Sequence, residues 1–329
     1  MLNTFIATLN PMLMLFLCIA IGFILNKAKI LPENASKVLA KLETWVFCPA
    51  LSFSTMATYC TVETLGTHAI NVFLACCAVS IALAIAIPLS RLFVKRKCSE
   101  RGIYQYALAF ANFGYVGDPV VQALFGDVGL SYYKLFCLPL SVVIYTWGIS
   151  VLVPNGEKRG NIFKKILNVP TIALILGIIV GVTGLGAHMP IFVSNTLNSL
   201  KACMGPVAML LAGFIIANYS LKTVLKNRKV YIATLLRLAV IPAFIIGVIF
   251  GIKELMNLIF GMNIGNSVLF LVFFATATPL GLNTVVFPES YGGNPEAGAS
   301  MATVSHTLCV ISIPLLYAVM IAIFGPFSI

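Results

Sequence analysis

Residues 106–126 read YALAFANFGYVGDPVVQALFG, and residues 273–293 read FFATATPLGLNTVVFPESYGG. Each begins apolar enough to lie in hydrocarbon. Each then carries Gly, Pro and Asn in its middle, where helix propensity and hydrophobicity both argue against them. Interruptions of this kind survive at membrane depth only where the freed backbone lines a cavity or is buried in protein. In the first stretch Gly114, Gly117 and Pro119 are placed to break a helix around Asn112 and Asp118. In the second, Pro279 and Gly281 are placed to break one around Thr278 and Asn283.

The rest of the chain makes membrane depth the right frame. It has 329 residues, of which 60% are apolar and 9% charged, against about half and a quarter in soluble domains. Mean hydropathy is +1.01. These values exclude a soluble enzyme, a disordered chain and a coiled coil, and leave an all-α integral membrane protein. The three histidines are far apart, and no HExxH, GxSxG or paired cysteine ligands occur. No enzyme, cofactor or metal site is therefore expected. The nine cysteines show no CxxC spacing and read as small apolar side chains. The N-terminus lacks a basic n-region, so the first apolar run reads as a true span.

Ten spans are expected, near 5–26, 35–57, 68–94, 101–125, 130–153, 166–186, 190–218, 229–252, 266–290 and 297–325. The broken stretches are the fourth and the ninth. The second span is the least apolar, with Lys37, Lys41 and Glu43 in its first half. Of the 21 Lys and Arg, 17 fall in or beside alternate loops, led by Lys27, Lys95, Arg96, Lys158, Arg159, Lys222 and Lys226. That alternation sets both termini on the extracytoplasmic side of a cell membrane, taken as a bacterial inner membrane from the compact loops. It also accounts for the net charge of +11 without a nucleic-acid partner.

The chain divides into 1–153, a short cytosolic loop 154–165, and 166–329. Pro11 and Pro170, Pro32 and Pro190, Pro49 and Pro206, and Pro119 and Pro279 recur at offsets of 157–160 residues. Five spans per half is an odd number, so the halves form an inverted-topology repeat. Such repeats build secondary transporters with the substrate site at the repeat interface, formed by discontinuous helices. Half-helix N-termini attract anions, each carrying roughly half a positive charge. Asn112 and Asn283 add neutral donors that can hold a carboxylate and release it. The expected function is a secondary active transporter of a small organic anion, a mono- or dicarboxylate, working by alternating access. The expected site comprises Asn112, Gly114, Gly117, Thr278, Pro279, Gly281 and Asn283, with Asp118 as the coupling candidate.

These residues resemble the auxin efflux carrier family, which includes the plant PIN carriers and bacterial malate and malonate permeases. Asn112-Phe-Gly-Tyr-Val-Gly117-Asp-Pro119 is similar to the family's first crossover. Ala277-Thr-Pro279-Leu-Gly281, with Tyr291, Pro295 and Ile313-Pro-Leu, is similar to the second crossover and the span after it. The resemblance covers essentially the whole chain. It implies ten helices in two inverted five-helix repeats with broken, crossing helices 4 and 9. It further implies a scaffold of spans 1, 2, 6 and 7, a moving domain of the others, and a homodimer through the scaffold. It makes Asn112 the asparagine that meets substrate carboxylate. Two departures stand against plant members, which carry a proline where this chain has Ala111 and an apolar residue at Asp118. The long cytosolic loop of many plant members is also missing. A sodium-coupled organic-anion symporter of the bile-acid type shares the architecture and is the alternative.

Several residues carry two readings. Asp118 before Pro119 is an N-cap, or a protonation or Na⁺ site that is protonated with substrate, paired with a cation, or turned away. Asn112 and Asn283 contact ligand or cap half-helices. Thr276 and Thr278 bond back to their own helix. Glu43 and Lys201 occupy similar places in spans 2 and 7, where an ion pair would join them. Lys134 and Arg237 are placed to snorkel from span ends. His306 packs in the core, and His68 and His188 lie in loops. The pairs Gly177 with Gly181 and Gly247 with Gly251 mark close helix packing.

Overall fold

The structure, a computed structural model, describes residues 2–32, 34–95, 99–152, 167–218, 227–285 and 296–327. The link 154–165, Arg96, Lys97, Lys222, Lys226, Tyr291 and Pro295 lie outside the described residues. Those described are helical and joined by turns, with one isolated antiparallel bridge and no strand. In chain order, α1 is Leu2–Lys27, α2 covers 35–59, α3 is Leu65–Leu92 and α4 is Ser99–Ala109. Next come α5 at Phe113–Phe136, α6 at Leu138–Leu152, α7 at Val169–Val182 and α8 at Ile191–Ala217. The last three are α9 at Arg228–Phe260, α10 at Ser267–Ala277 and α11 at Glu296–Phe324. By length and composition α3, α8, α9 and α11 can each cross a bilayer, and α5 with α6, bent by 43°, would make a fifth if the pair were a single span. Residues 13–27, 169–182 and 267–277 are shorter apolar helices.

Prolines shape the helices more than they end them. Turns of the wider π type at Glu43–Phe47, Phe113–Gly117 and Leu236–Val240 are each followed, one residue later, by Pro49, Pro119 and Pro242. A proline has no N–H and its ring collides with the carbonyl four residues back. Widening the preceding turn relieves that collision without breaking the helix. The chain leaves helical geometry inside α5 at Gly126, whose φ of +66° suits glycine. Here the chain passes between the expected fourth and fifth spans.

Glycine brings two helix pairs into backbone contact. On α1 and α8 a Cβ at Gly22 would sit 2.2 Å from the Leu210 carbonyl oxygen, and one at Gly213 only 2.0 Å from that of Ile19. On α7 and α2, Gly177 approaches the Phe53 carbonyl and Gly181 those of Met56 and Cys60. Gly177 and Gly181 thus pack as their spacing predicts. Gly247 and Gly251 do not, because both face open space on the outer side of α9 near exposed Phe244 and Phe250. Outward rows such as Leu17 and Ile21 on α1, or Ile311 and Leu315 on α11, are exposed and apolar, as lipid-facing rows must be. Phe110, Phe136, Phe270, Phe273 and Phe274 fill the interior. His68 belongs to α3 and is 2% exposed against the Tyr132 ring at 4.5 Å, so it is no loop residue. His188 lies in the short turn between α7 and α8, as expected.

Candidate functional site: a cavity at the meeting of two helix breaks

The two interrupted stretches meet. Ala111 and Leu280 form the antiparallel bridge, and the Asn112 N–H donates to the Pro279 carbonyl at 2.7 Å. The Leu280 N–H is taken by Ser305 Oγ at 3.1 Å. Backbone groups freed from two helices thus satisfy one another and a side chain of α11, as burial in hydrocarbon demands. The first break lies at Asn112, as expected, and not at Asp118. Asn112, with φ −84° and ψ 54°, precedes a helix that already includes Gly114, Gly117 and Pro119. The π turn absorbs Pro119, and Gly117 serves a contact, since a Cβ there would lie 2.1 Å from the Tyr133 hydroxyl. That hydroxyl, with one hydrogen to give, lies within hydrogen-bonding reach of the carbonyls of Phe113 at 3.2 Å and Phe274 at 3.1 Å, and so sits between the two broken segments. The second break runs from extended Thr278 (φ −66°, ψ 159°) to Gly281, whose carbonyl takes the Thr284 N–H at 3.2 Å as a new turn begins.

Beside this crossover is a cavity of about 150 Å³. Asn112, Phe113, Gly114, Gly281 and Asn283 form its crossover wall. Asp118, Lys134 and Ser141 also line it, as do Thr44, Cys48 and Ser52 of α2, Thr171 of α7 and Met204 of α8. Of the expected site residues, Asn112, Gly114, Gly281, Asn283 and Asp118 therefore come together. Gly117, Thr278 and Pro279 stand off the cavity, and Pro119 lies beside Gly205 of α8. Thr276 bonds back to the Val272 carbonyl at 2.6 Å, as expected, whereas Thr278 Oγ1 is buried without a partner.

The asparagines are held, with donors to spare. His306 Nδ1 lies 2.8 Å from the Ala302 carbonyl, which can only accept, so in the neutral ring Nε2 is the acceptor. Asn112 Nδ2 therefore donates to His306 Nε2 at 3.2 Å. Asn283 Nδ2 donates to the Tyr106 hydroxyl at 2.9 Å. Each amide nitrogen carries two hydrogens, so each keeps one after that bond. The start of α5, at Phe113 and Gly114, also borders the cavity, and the first N–H groups of a helix have no acceptor within it.

Asp118 is not a cap. Its backbone is helical (φ −54°, ψ −53°) and no side-chain cap bond is made. Its Oδ2 accepts from Lys134 Nζ, and its Oδ1 has no partner. Of its readings, pairing with a cation is the one observed. Lys134 does not snorkel: its side chain is 10% exposed and borders the cavity. Sequence reasoning missed this residue. The signal was present, since an acid fixed at mid-membrane in one span calls for a base in a neighbouring one. Lys201 bonds Asp127 at 2.7 Å and not Glu43, which is fully buried with neither carboxylate oxygen partnered. Arg237, also expected to snorkel, is 2% exposed with no guanidinium partner.

Compared with known proteins, the chain matches a family model described as "Membrane transport protein" over residues 7–162 and 160–317. The chain belongs to this family, that of the auxin efflux carriers. No curated protein matches it. Membership identifies a membrane transporter and agrees with several helices able to span a bilayer. In this family member, the cavity joins a cation that has hydrogens beyond its bond to Asp118, two half-used amides and a helix N-terminus. That set can bind a carboxylate reversibly. The Asp118 charge offsets that of Lys134, which keeps the attraction moderate.

Proposed function

We propose that the chain carries a small organic anion, a mono- or dicarboxylate, across the membrane by alternating access, with the anion bound at the crossover. The observation that supports this most is the cavity itself, where Lys134, Asn112, Asn283 and the start of α5 converge. The carboxylate takes hydrogens from Lys134 and the two amides, with the N-terminal end of α5 adding its partial positive charge. A volume of about 150 Å³ favours a small acid over a bulky amphiphile.

The proposal includes ten spans in two inverted five-helix repeats, 1–153 and 166–329, with both termini outside. In it α1, α2, α7 and α8 form a scaffold and the remaining helices move against it. The cavity supports that division, because its lining draws on α2, α7 and α8 as well as on the crossover, α5 and α6. It reaches Asn168, which caps α7 at the end where the 154–165 loop joins. On the basic-loop rule that end is cytoplasmic, so in this reading the cavity would open inward. A homodimer through the scaffold belongs to the same reading. Coupling, if any, would run through the Asp118–Lys134 pair, whose protonation or separation changes the charge met by the substrate.

Uptake into proteoliposomes tests the reading. Labelled malate, malonate, succinate, lactate and indole-3-acetate are offered with and without Na⁺ and with a pH gradient. Saturable uptake of one acid is expected. A strict requirement for Na⁺ would favour the bile-acid type of symporter. Uptake of neutral or cationic solutes alone would overturn the anion reading.

A further inference from the structure

A second, smaller cavity shares the crossover wall and is independent of the transport reading. Leu280 lines it, while the next residue, Gly281, lines the first cavity. The smaller one has a volume of about 10 Å³, bordered by Arg237, Thr234, Ser305, Leu280 and Met301. A space of that size holds one water-sized particle.

Its polar groups are the unusual part. All three guanidinium nitrogens of Arg237 are buried without a hydrogen-bond partner, and so is Thr234 Oγ1. Among the described residues the ion pairs join Lys134 to Asp118, Lys201 to Asp127 and Lys253 to Glu254, and none involves Arg237. On α11, Ser305 uses its hydroxyl to take the Leu280 N–H and to donate to the Ala302 carbonyl. On α4, the Tyr106 hydroxyl already receives Asn283. Among the described residues no carboxylate borders this cavity. Glu43 is also unpartnered, but a carboxylate can take up a proton and become neutral. An arginine cannot lose its charge in this way. A permanent cation in an apolar interior needs a counter-charge.

We propose that Arg237 and Thr234, three residues apart on one face of α9, hold a monatomic anion of halide size in this cavity. The guanidinium N–H groups and the threonine hydroxyl donate to it. The apolar flank of Ala107, Leu280 and Met301 suits a soft, weakly hydrated ion better than an oxyanion. Because Leu280 is the bridge partner of Ala111, occupancy would brace the crossover.

The test uses the purified full chain in nanodiscs, with sodium chloride replaced by sodium methanesulfonate at constant ionic strength. Chloride is expected to raise the wild-type melting temperature by about 5 °C in a saturable way, and to leave Arg237→Met unaffected. Crystals of wild-type protein grown in bromide should show an anomalous peak beside the guanidinium, which decides the matter if Arg237→Met does not fold. Equal melting temperatures in both salts, an equal rise in Arg237→Met, or a map holding only water would each overturn the proposal. Failure here would leave carboxylate uptake untouched, so the two readings are separable.

Discussion

Replacing Lys134 by methionine removes the one hydrogen-bond partner, among the described residues, of a carboxylate that is 1% exposed and whose other oxygen already lacks one. Breaking a buried pair from one side costs about 3–5 kcal/mol, because an uncompensated charge stays behind. With an unfolding entropy near 2 cal/mol/K per residue, about 4 kcal/mol spread over this chain lowers the melting temperature by about 6 °C. The double variant Asp118→Asn with Lys134→Met removes the stranded charge and should recover at least half of that loss. The single variant's deficit should also shrink on acidification, because protonating Asp118 neutralises it. Intrinsic tryptophan fluorescence in nanodiscs is a suitable assay, since Trp147 lies 6.0 Å from the Phe110 ring next to the crossover. An unchanged melting temperature in Lys134→Met would refute the reasoning. So would a double variant no more stable than the worse single one.

Glu43→Met should raise stability by about 1 kcal/mol or more, because an unpartnered buried carboxylate gives way to an apolar chain of similar size; a lower melting temperature would mean that Glu43 has a partner in the folded protein. Gly213→Leu should abolish folded yield on size-exclusion chromatography, whereas Gly247→Leu should be neutral, since only the first would drive a side chain into a backbone carbonyl. Asn283→Ala removes the bond to Tyr106 along with the cavity amide and should weaken substrate affinity by about tenfold, the scale of one lost hydrogen bond. Tyr106→Phe should weaken it less, because the amide remains. Titration calorimetry on the acid found in the uptake panel measures both.

Much of the architecture is legible in the apolar runs, because a bilayer leaves the backbone no alternative to helices. The crossover is legible too, since Gly, Pro and Asn in the middle of two apolar stretches mark interrupted helices whose freed backbone must line a cavity or be buried in protein. The break at Asn112 was expected, but its extension to Asp118 was not realised, because proline has two remedies in a helix. Pro119 widened the preceding turn instead of ending it, and propensity cannot distinguish these outcomes. The pairing of Asp118 with Lys134 was hidden for another reason. The two are sixteen residues apart across the Gly126 bend, and Lys134 sits near enough a span end to look solvated. Arg237 was misread in the same way, as distance from a span end along the chain does not measure depth within the packed protein. The glycine pairs show the limit of spacing alone. Gly177 with Gly181 and Gly247 with Gly251 are identical as motifs, yet only the first pair faces another helix.

The central claim is that an organic anion binds at the crossover. The most direct measurement is charge displacement on a solid-supported membrane, comparing wild type with Asn112→Ala in response to jumps of the transported acid. The account predicts a saturable signal in the wild type. In Asn112→Ala, reconstituted to the same density and melting at a comparable temperature, the signal should be lost or shifted at least tenfold to higher concentration. An undiminished signal from folded Asn112→Ala would contradict the account and move the site away from the crossover.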